Sequence, residues 1–343
     1  MTKVLVTGGT GFIGQHLVST LVERGRQVRV LDLRSPRRVL PGVEYVVGSV
    51  LDPSLVDKSL SGVDHVYHLA GLPGMWMSQK SDFHAVNYRG TEIVIAAARK
   101  RGVARFLHCS TESILFRSSL SDDVAEDGLP STDDMPGPYT RSKMLAERTA
   151  IQAAASGFPV VIGTPTMPIG PHDHNLTPPT AMLRRFLGGR VQLYLDFVVN
   201  LVDVRDVARG LILAMERGQI GHRYVLGGES ISLKGILQRL AAIRGRRNLH
   251  LPVHGVVAER IAGLLELIAD HVTRRPPSAT SEGVRIALRA TELSIEKAQR
   301  ELGYAPQPIE PALRETIAHL MEADVSPTRP WSAPMPPAIR HSA

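Results

Sequence analysis

Cysteine is nearly absent. Cys109 is the single one in 343 residues, which excludes an internal disulfide framework and fits a reducing compartment. Aromatic residues are scarce at 5%, which argues against a nucleic-acid surface of cations interleaved with rings, even though the net charge is +7. That excess is dispersed in pairs such as Arg37-Arg38, Arg184-Arg185, Arg246-Arg247 and Arg274-Arg275, and reads as a solvated surface with some attraction for anions. No uncharged apolar run reaches the roughly 18 residues of a membrane span. No signal-peptide pattern opens the chain, so the expectation is a cytoplasmic protein with no nucleic-acid partner and no metal site.

With 343 residues, 43% of them apolar and 21% charged, the chain has an ordinary globular composition. At about 150 residues per domain its length suggests two units. The first half alternates short apolar runs with helix-period segments. Val4–Thr7, Val28–Asp32, Tyr45–Val47, His65–Leu69, Phe106–Cys109 and Val160–Ile162 read as strands. Their Val and Leu content without polar alternation is that of strands covered on both faces. Ile13–Arg24, Ser54–Leu60, Phe83–Lys100 and Tyr139–Ala155 read as the helices between them. That alternation predicts an α/β fold: a Rossmann-type, doubly wound parallel sheet.

After Gly163 the texture changes. Thr164 to Pro179 holds prolines at 165, 168, 171, 178 and 179, the composition of a binding lid. The remainder is mainly helical, so a smaller C-terminal substrate lobe is expected over 164–324. The dinucleotide domain spans 1–163, with later strands returning to it from about 197–228. Residues 325–343, proline-rich and without apolar periodicity, are expected to be a disordered tail. Val256–Val272 is amphipathic; its charges Glu259, Arg260, Glu266 and Asp270 favour a core-facing helix over one that touches membrane.

Thr7-Gly8-Gly9-Thr10-Gly11-Phe12-Ile13-Gly14 follows the first strand and opens the first helix. Free N–H groups and the positive end of the helix dipole favour a phosphate there. Glycines supply the tight turn, close backbone approach and close helix–strand packing. Asp32, at the end of the second strand, can accept hydrogen bonds from a ribose diol and would repel a 2′-phosphate. That favours NAD, though Arg34, Arg37 and Arg38 just beyond leave NADP open; Asp32 also suits a turn before Arg34-Ser35-Pro36. Leu69-Ala70-Gly71 ends a later strand with small residues that permit close approach to a cofactor, while His68 reads as a packed strand residue.

Tyr139 and Lys143 stand four residues apart, on one face of a helix begun by Pro138. A free phenol has a pKa near 10 and is a poor base at neutral pH; a lysine cation beside it favours the phenolate. Such a pair can take a proton from an alcohol as hydride leaves, or return one to a carbonyl.

The segments TGGTGFIG, HLAG, VNYRGT, HCSTES, PYTRSKMLAE, PIGPHD and LVDVRDVA resemble those of the extended short-chain dehydrogenases/reductases, the NAD-dependent epimerase/dehydratase family. IGHRYVLGGE and RELGY extend the likeness toward its hopanoid-associated sugar-epimerase-like and dihydroflavonol-reductase-like branch. The resemblance implies Tyr139 as acid/base, Lys143 also holding the nicotinamide ribose, Thr111 bonding the reacting oxygen, and Asn87 positioning lysine and water. From the residues alone Asn87 suits a cap or the core equally. The implied cofactor set is Gly8, Gly9, Thr10, Gly11, Phe12, Ile13, Gly14, Asp32, Arg34, Ser49, Val50, Leu69, Ala70, Gly71, Asn87, Tyr139, Lys143 and Pro165. Ser49 stands where the family often has an acidic residue, leaving adenine to rest on Val50.

Two departures shape the functional reading. The Asp-Glu pair of the family's dehydratases is Glu112-Ser113 here, which removes the second carboxylate that water elimination requires. Thr164-Pro165 replaces an Arg-Pro, leaving Arg184, Arg185 and Arg223 as candidates to grip a pyrophosphate. The leading expectation is an NAD(P)-dependent oxidoreductase interconverting a secondary alcohol and a ketone, on an apolar small molecule that meets Met75-Trp76-Met77; that run equally suits packing beneath the lid. A nucleotide-sugar 4-epimerase with tightly bound NAD is the alternative. A catalytically dead nucleotide sensor is disfavoured by the retention of Tyr139, Lys143 and Thr111. The resemblance also implies a homodimer through the helices at Phe83–Lys100 and Tyr139–Ala155.

Overall fold

The computed structural model of the chain describes residues 2–115, 131–188, 191–245, 249–290 and 292–323. Seven strands form one all-parallel sheet in the order Val43–Val47, Gln27–Asp32, Lys3–Thr7, His65–His68, Arg105–Cys109, Val160–Pro165 and Arg223–Leu226. All six apolar runs of the first half are therefore strands. Both faces are covered. Val4, Val6, Val28 and Val30 pack with Leu17 and Leu21 of helix Phe12–Glu23 and with Leu211 and Met215 of helix Val204–Arg217. Leu5, Leu31, Val66, Phe106 and Val160 pack with Val94, Ile95, Ala150 and Ile151 on the opposite face. Connections leave Lys3–Thr7 toward one edge and return from His65–His68 toward the other. The crevice at that reversal is where open α/β sheets bind ligands.

The expected helix Phe83–Lys100 is composite. A short turn Ser81–Phe83 runs into a π-helical stretch His84–Arg89 and then helix Gly90–Lys100. Such bulges re-aim side chains and favour functional sites. Asn87 lies on it.

The C-terminal lobe is helical but carries two small sheets. Val198–Asp203 pairs in parallel with Met167–Ile169 and antiparallel with Glu229–Ser232; Val191–Tyr194 pairs in parallel with Leu249–Pro252. Of the segment 197–228 expected to return to the main sheet, only Arg223–Leu226 does so. Pro165 and Pro168 lack an N–H for a central ladder, so the chain leaves the main sheet there and founds a separate one. Helices Pro178–Leu187, Leu233–Arg244 and Ile309–Ala323 contribute Leu183, Phe186, Ile236, Leu240, Leu313 and Ile317 to the lobe's own core.

The amphipathic segment at 256–272 forms helix Gly255–Ile268 and a π-helical extension Ala269–Thr273, and it corrects the core-facing expectation. Its buried stripe is alanine (Ala258, Ala262 and Ala269), whereas its large aliphatic residues other than Leu265 are exposed. The expected tail at 325–343 lies outside the described residues.

Candidate active site

The glycine loop opens the cleft. Gly8 has φ +71°, and a Cβ there would come within 2.7 Å of the Ala70 backbone. A Cβ at Gly14 would sit on the Gly8 carbonyl oxygen. Both positions therefore need glycine, and the space so kept leaves the backbone bare at the N-terminus of helix Phe12–Glu23. Asp32 faces this loop: its carboxylate accepts from the Thr10 N–H at 3.0 Å and the Arg34 N–H at 3.3 Å. Leu69 and Ala70 press against the loop because the Ala70 N–H donates to Thr7 Oγ1 at 3.2 Å. His68 is packed as expected. Its two ring nitrogens meet Thr7 and Thr91 hydroxyls at 2.7 and 3.0 Å, and burial pushes its pKa down to about 3.

A single cleft of about 740 Å³ connects these residues to the sheet's carboxyl edge. Gly8 to Gly14, Asp32, Arg34, Ser49, Val50, Leu69, Ala70, Gly71, Thr111, Tyr139, Lys143 and Pro165 all line it. Asn87 does not. It is 2% exposed, accepts from the Leu72 N–H at 2.7 Å and donates to Ser142 Oγ at 3.0 Å, and Ser142 Oγ in turn donates to the Tyr139 carbonyl at 2.7 Å. Asn87 thus ties the loop after His65–His68 to the helix bearing Tyr139 and Lys143, from behind the cleft.

Tyr139 opens helix Pro138–Ala155 and lies edge-on to Phe83, with ring centroids 5.8 Å apart. Burial pushes its phenol up to about 12, against a hydrogen bond from Thr111 that acts in the opposite sense. Lys143, one turn on, donates from Nζ to the Cys109 carbonyl at 2.8 Å, and burial lowers its pKa. In this arrangement the ammonium is held by a carbonyl, and desolvation dominates the phenol. Glu112 also lines the cleft, and burial raises its carboxyl to about 8.

Three positions depart from the expectations. Arg223 is 7% exposed and donates from Nε to Glu147 at 2.8 Å; Ser110 donates to the other oxygen of that carboxylate. Arg184 and Arg185 lie outside the cleft, and Arg185 donates to the Ser278 carbonyl at 2.6 Å. None of the three reaches the substrate side. Of Met75-Trp76-Met77, Met75 alone lines the cleft, while Trp76 donates to Asp270 Oδ1 at 2.7 Å and Met77 packs beside Phe83 and Tyr139.

Glu282 is the site residue that sequence reasoning missed. It comes from lobe helix Ser281–Arg289, is 3% exposed, and accepts from the Tyr139 N–H at 3.3 Å and from the Thr140 N–H and Oγ1, each at 2.7 Å. It caps the helix of Tyr139 and Lys143 with a carboxylate, where the free N–H groups and the dipole favour one. Gly137 has no room for a side chain because Glu282 occupies it. A partner 143 residues away leaves no local signal. Among the described residues no cluster of His, Cys, Asp or Glu could hold a metal ion.

Residues 4–227 match the model of the NAD dependent epimerase/dehydratase family. The chain is 34% identical to a Synechocystis protein provisionally assigned as a dihydroflavonol 4-reductase, over 91% of this chain and 92% of that one. It is 32% identical to the 2-alkyl-3-oxoalkanoate reductase of Stenotrophomonas maltophilia, over 92% and 98%. Among solved structures it is similar to the UDP-glucose 4-epimerase of Thermus thermophilus in complex with NAD, at 25% identity and a TM-score of 0.73, over 94% of this chain and all of that one.

Proposed function

The chain belongs to the NAD-dependent epimerase/dehydratase family of enzymes, and on that premise we propose that it interconverts a secondary alcohol and a ketone on an apolar small molecule. The observation that carries this reading is the composition of the cleft beyond the glycine loop. Leu72, Met75, Met167, Met182, Phe197 and Ile286 line it, while Arg184, Arg185 and Arg223 are engaged elsewhere or lie outside. A nucleotide-sugar pyrophosphate would need cations on that side.

The cradle left open by Gly8 and Gly14 fits a dinucleotide, with pyrophosphate against the bare backbone, adenosine ribose at Asp32 and adenine on Val50. When bound, nicotinamide supplies or accepts the hydride. The protein's part is proton transfer and positioning. Tyr139, protonated at neutral pH, donates its phenolic proton to the carbonyl oxygen during reduction; Thr111 donates a hydrogen bond to the same oxygen. Lys143 is positioned to hold ribose hydroxyls once it leaves the Cys109 carbonyl. Asn87, Ser142 and Glu282 keep the Tyr139 helix in place. In oxidation the phenolate must take the alcohol proton, which requires higher pH. The single carboxylate of Glu112-Ser113 supports redox chemistry without dehydration.

NAD is preferred over NADP because Asp32 would repel a 2′-phosphate. A homodimer through helices Gly90–Lys100 and Pro138–Ala155 belongs to the same reading, and sedimentation velocity tests it. Mass spectrometry of the retained nucleotide, followed by a substrate screen at the nicotinamide absorbance, tests the reaction. Stoichiometric NADH consumption supports it, whereas turnover without added cofactor supports 4-epimerisation. Replacing Tyr139 with Phe should cut turnover on the order of a thousandfold and leave NADH binding within about twofold. Activity that survives the change sinks the mechanism.

A further inference from the structure

We infer that helix Gly255–Ile268 and its extension Ala269–Thr273 dock this protein peripherally on an anionic lipid surface. Val257, Ile261, Leu264, Ile268 and Val272 recur at three- and four-residue spacing along one face and are all exposed, Leu264 at 60% and Val272 at 74%; Leu267, beside Ile268, is exposed too. Isolated exposed aliphatics are ordinary, but a continuous ridge of them over four turns is not. It is long enough to lie in a membrane interface and too charged to cross one.

The charges around the ridge identify the partner. Every carboxylate on the element has a partner. Glu259 accepts from Arg285 at 2.6 Å, Glu266 from the Ser281 N–H at 3.1 Å, and Asp270 from Trp76 and Lys80 at 2.7 and 2.9 Å. The exposed cations Arg260, Arg274 and Arg275 have no carboxylate partner among the described residues. The outward face is thus aliphatic with an unopposed positive border, which complements anionic headgroups above acyl chains. A second copy fits poorly. In a twofold contact the same patch faces itself, and these cations would meet one another with no free carboxylate between them.

Docking would also orient the cleft. Met75 lines the cleft, and the next residue, Trp76, is bonded to Asp270 on the docking element. Ile286 and Ala287, on helix Ser281–Arg289 packed behind it, line the cleft as well. An apolar substrate could then enter from lipid. That access route rests on the apolar-substrate reading; docking does not.

Co-sedimentation of the full chain with vesicles tests it, using phosphatidylcholine alone and phosphatidylcholine mixed with phosphatidylglycerol. Binding is expected to the mixed vesicles, weakened by salt. Arg274→Gln with Arg275→Gln should lower the partition roughly 25-fold, at about fivefold per cation. Leu264→Gln with Leu267→Gln should lower it at least about a hundredfold. Both variants should keep the far-ultraviolet spectrum and NADH binding, so a failure of docking is separable from a failure of the redox reading, which would appear as no NADH binding at all. No binding to either vesicle, or variants that bind like the parent, overturns the inference. So does a dimer in sedimentation velocity that Leu264→Gln with Leu267→Gln dissociates, since a second copy would then own the face.

Discussion

On the sheet side of the cleft, Gly8 and Gly14 leave bare backbone where side chains cannot fit; on the lobe side, Met182, Phe197 and Ile286 fill the wall with apolar groups. The first surface is specified by what is missing and tolerates no change of shape. The second is specified by volume and polarity, and such surfaces tolerate exchange among hydrophobic residues of similar size. One half can therefore stay fixed on a cofactor while the other is retuned for different substrates. Glu282 is where the two depend on each other, because a lobe carboxylate caps the helix that carries Tyr139.

The contrast breaks most sharply at Gly14. Gly14→Ala places a methyl on the Gly8 carbonyl oxygen, and NADH affinity should fall at least on the order of a hundredfold in a fluorescence titration. Met182→Leu, on the other wall, should leave cofactor affinity unchanged and alter KM alone. If Gly14→Ala binds NADH normally, the nucleotide half is not built from excluded side chains.

Next in size is the link between halves. Glu282→Ala leaves the Tyr139 and Thr140 N–H groups unsatisfied in a buried place, and should cost roughly 2–3 kcal/mol in a denaturant titration. Turnover should fall with it, whereas NADH affinity should hold. Loss of stability with unchanged kcat would reduce Glu282 to a structural cap. Smaller again is Asp32→Ser, expected to weaken NAD about tenfold and to narrow its advantage over NADP.

These positions differ in how far the sequence announces them. The glycine loop, Asp32 and the Tyr139/Lys143 spacing are local patterns, set by a turn, a strand end and one helical repeat, so they can be read in order along the chain. The six apolar runs are legible for the same reason: burial on both faces leaves an unbroken signal. Glu282 is not legible, because its partner is fixed only when the lobe closes on the sheet. Nor is the π-helical stretch at Asn87, whose residues look like any amphipathic helix. The helix Gly255–Ile268 misleads in a particular way. Periodicity reveals that it has two faces, but the buried one is a narrow alanine stripe and the broad aliphatic one is outside. The pleat of the small sheets escapes notice because strands such as Met167–Ile169 and Leu249–Pro252 are three or four residues long and contain proline.

The smallest effect is a pH dependence, and it separates the two walls at one residue. Glu112 stands where they meet, with its carboxyl raised to about 8 by burial. A group whose folded pKa lies above its unfolded value contributes stability that is full below the unfolded value, near 4.5, and is lost as pH rises through about 8. Glu112→Gln removes the titration while keeping the volume. In cofactor-free protein its melting temperature should exceed the parent's by a few degrees at pH 8 and match it near pH 4.5, as scanning calorimetry would measure. Equal differences at both values would mean that Glu112 is solvated in the free enzyme. The cleft mouth would then be wet on the substrate side too, and its apolar wall would have to be assembled by the substrate itself.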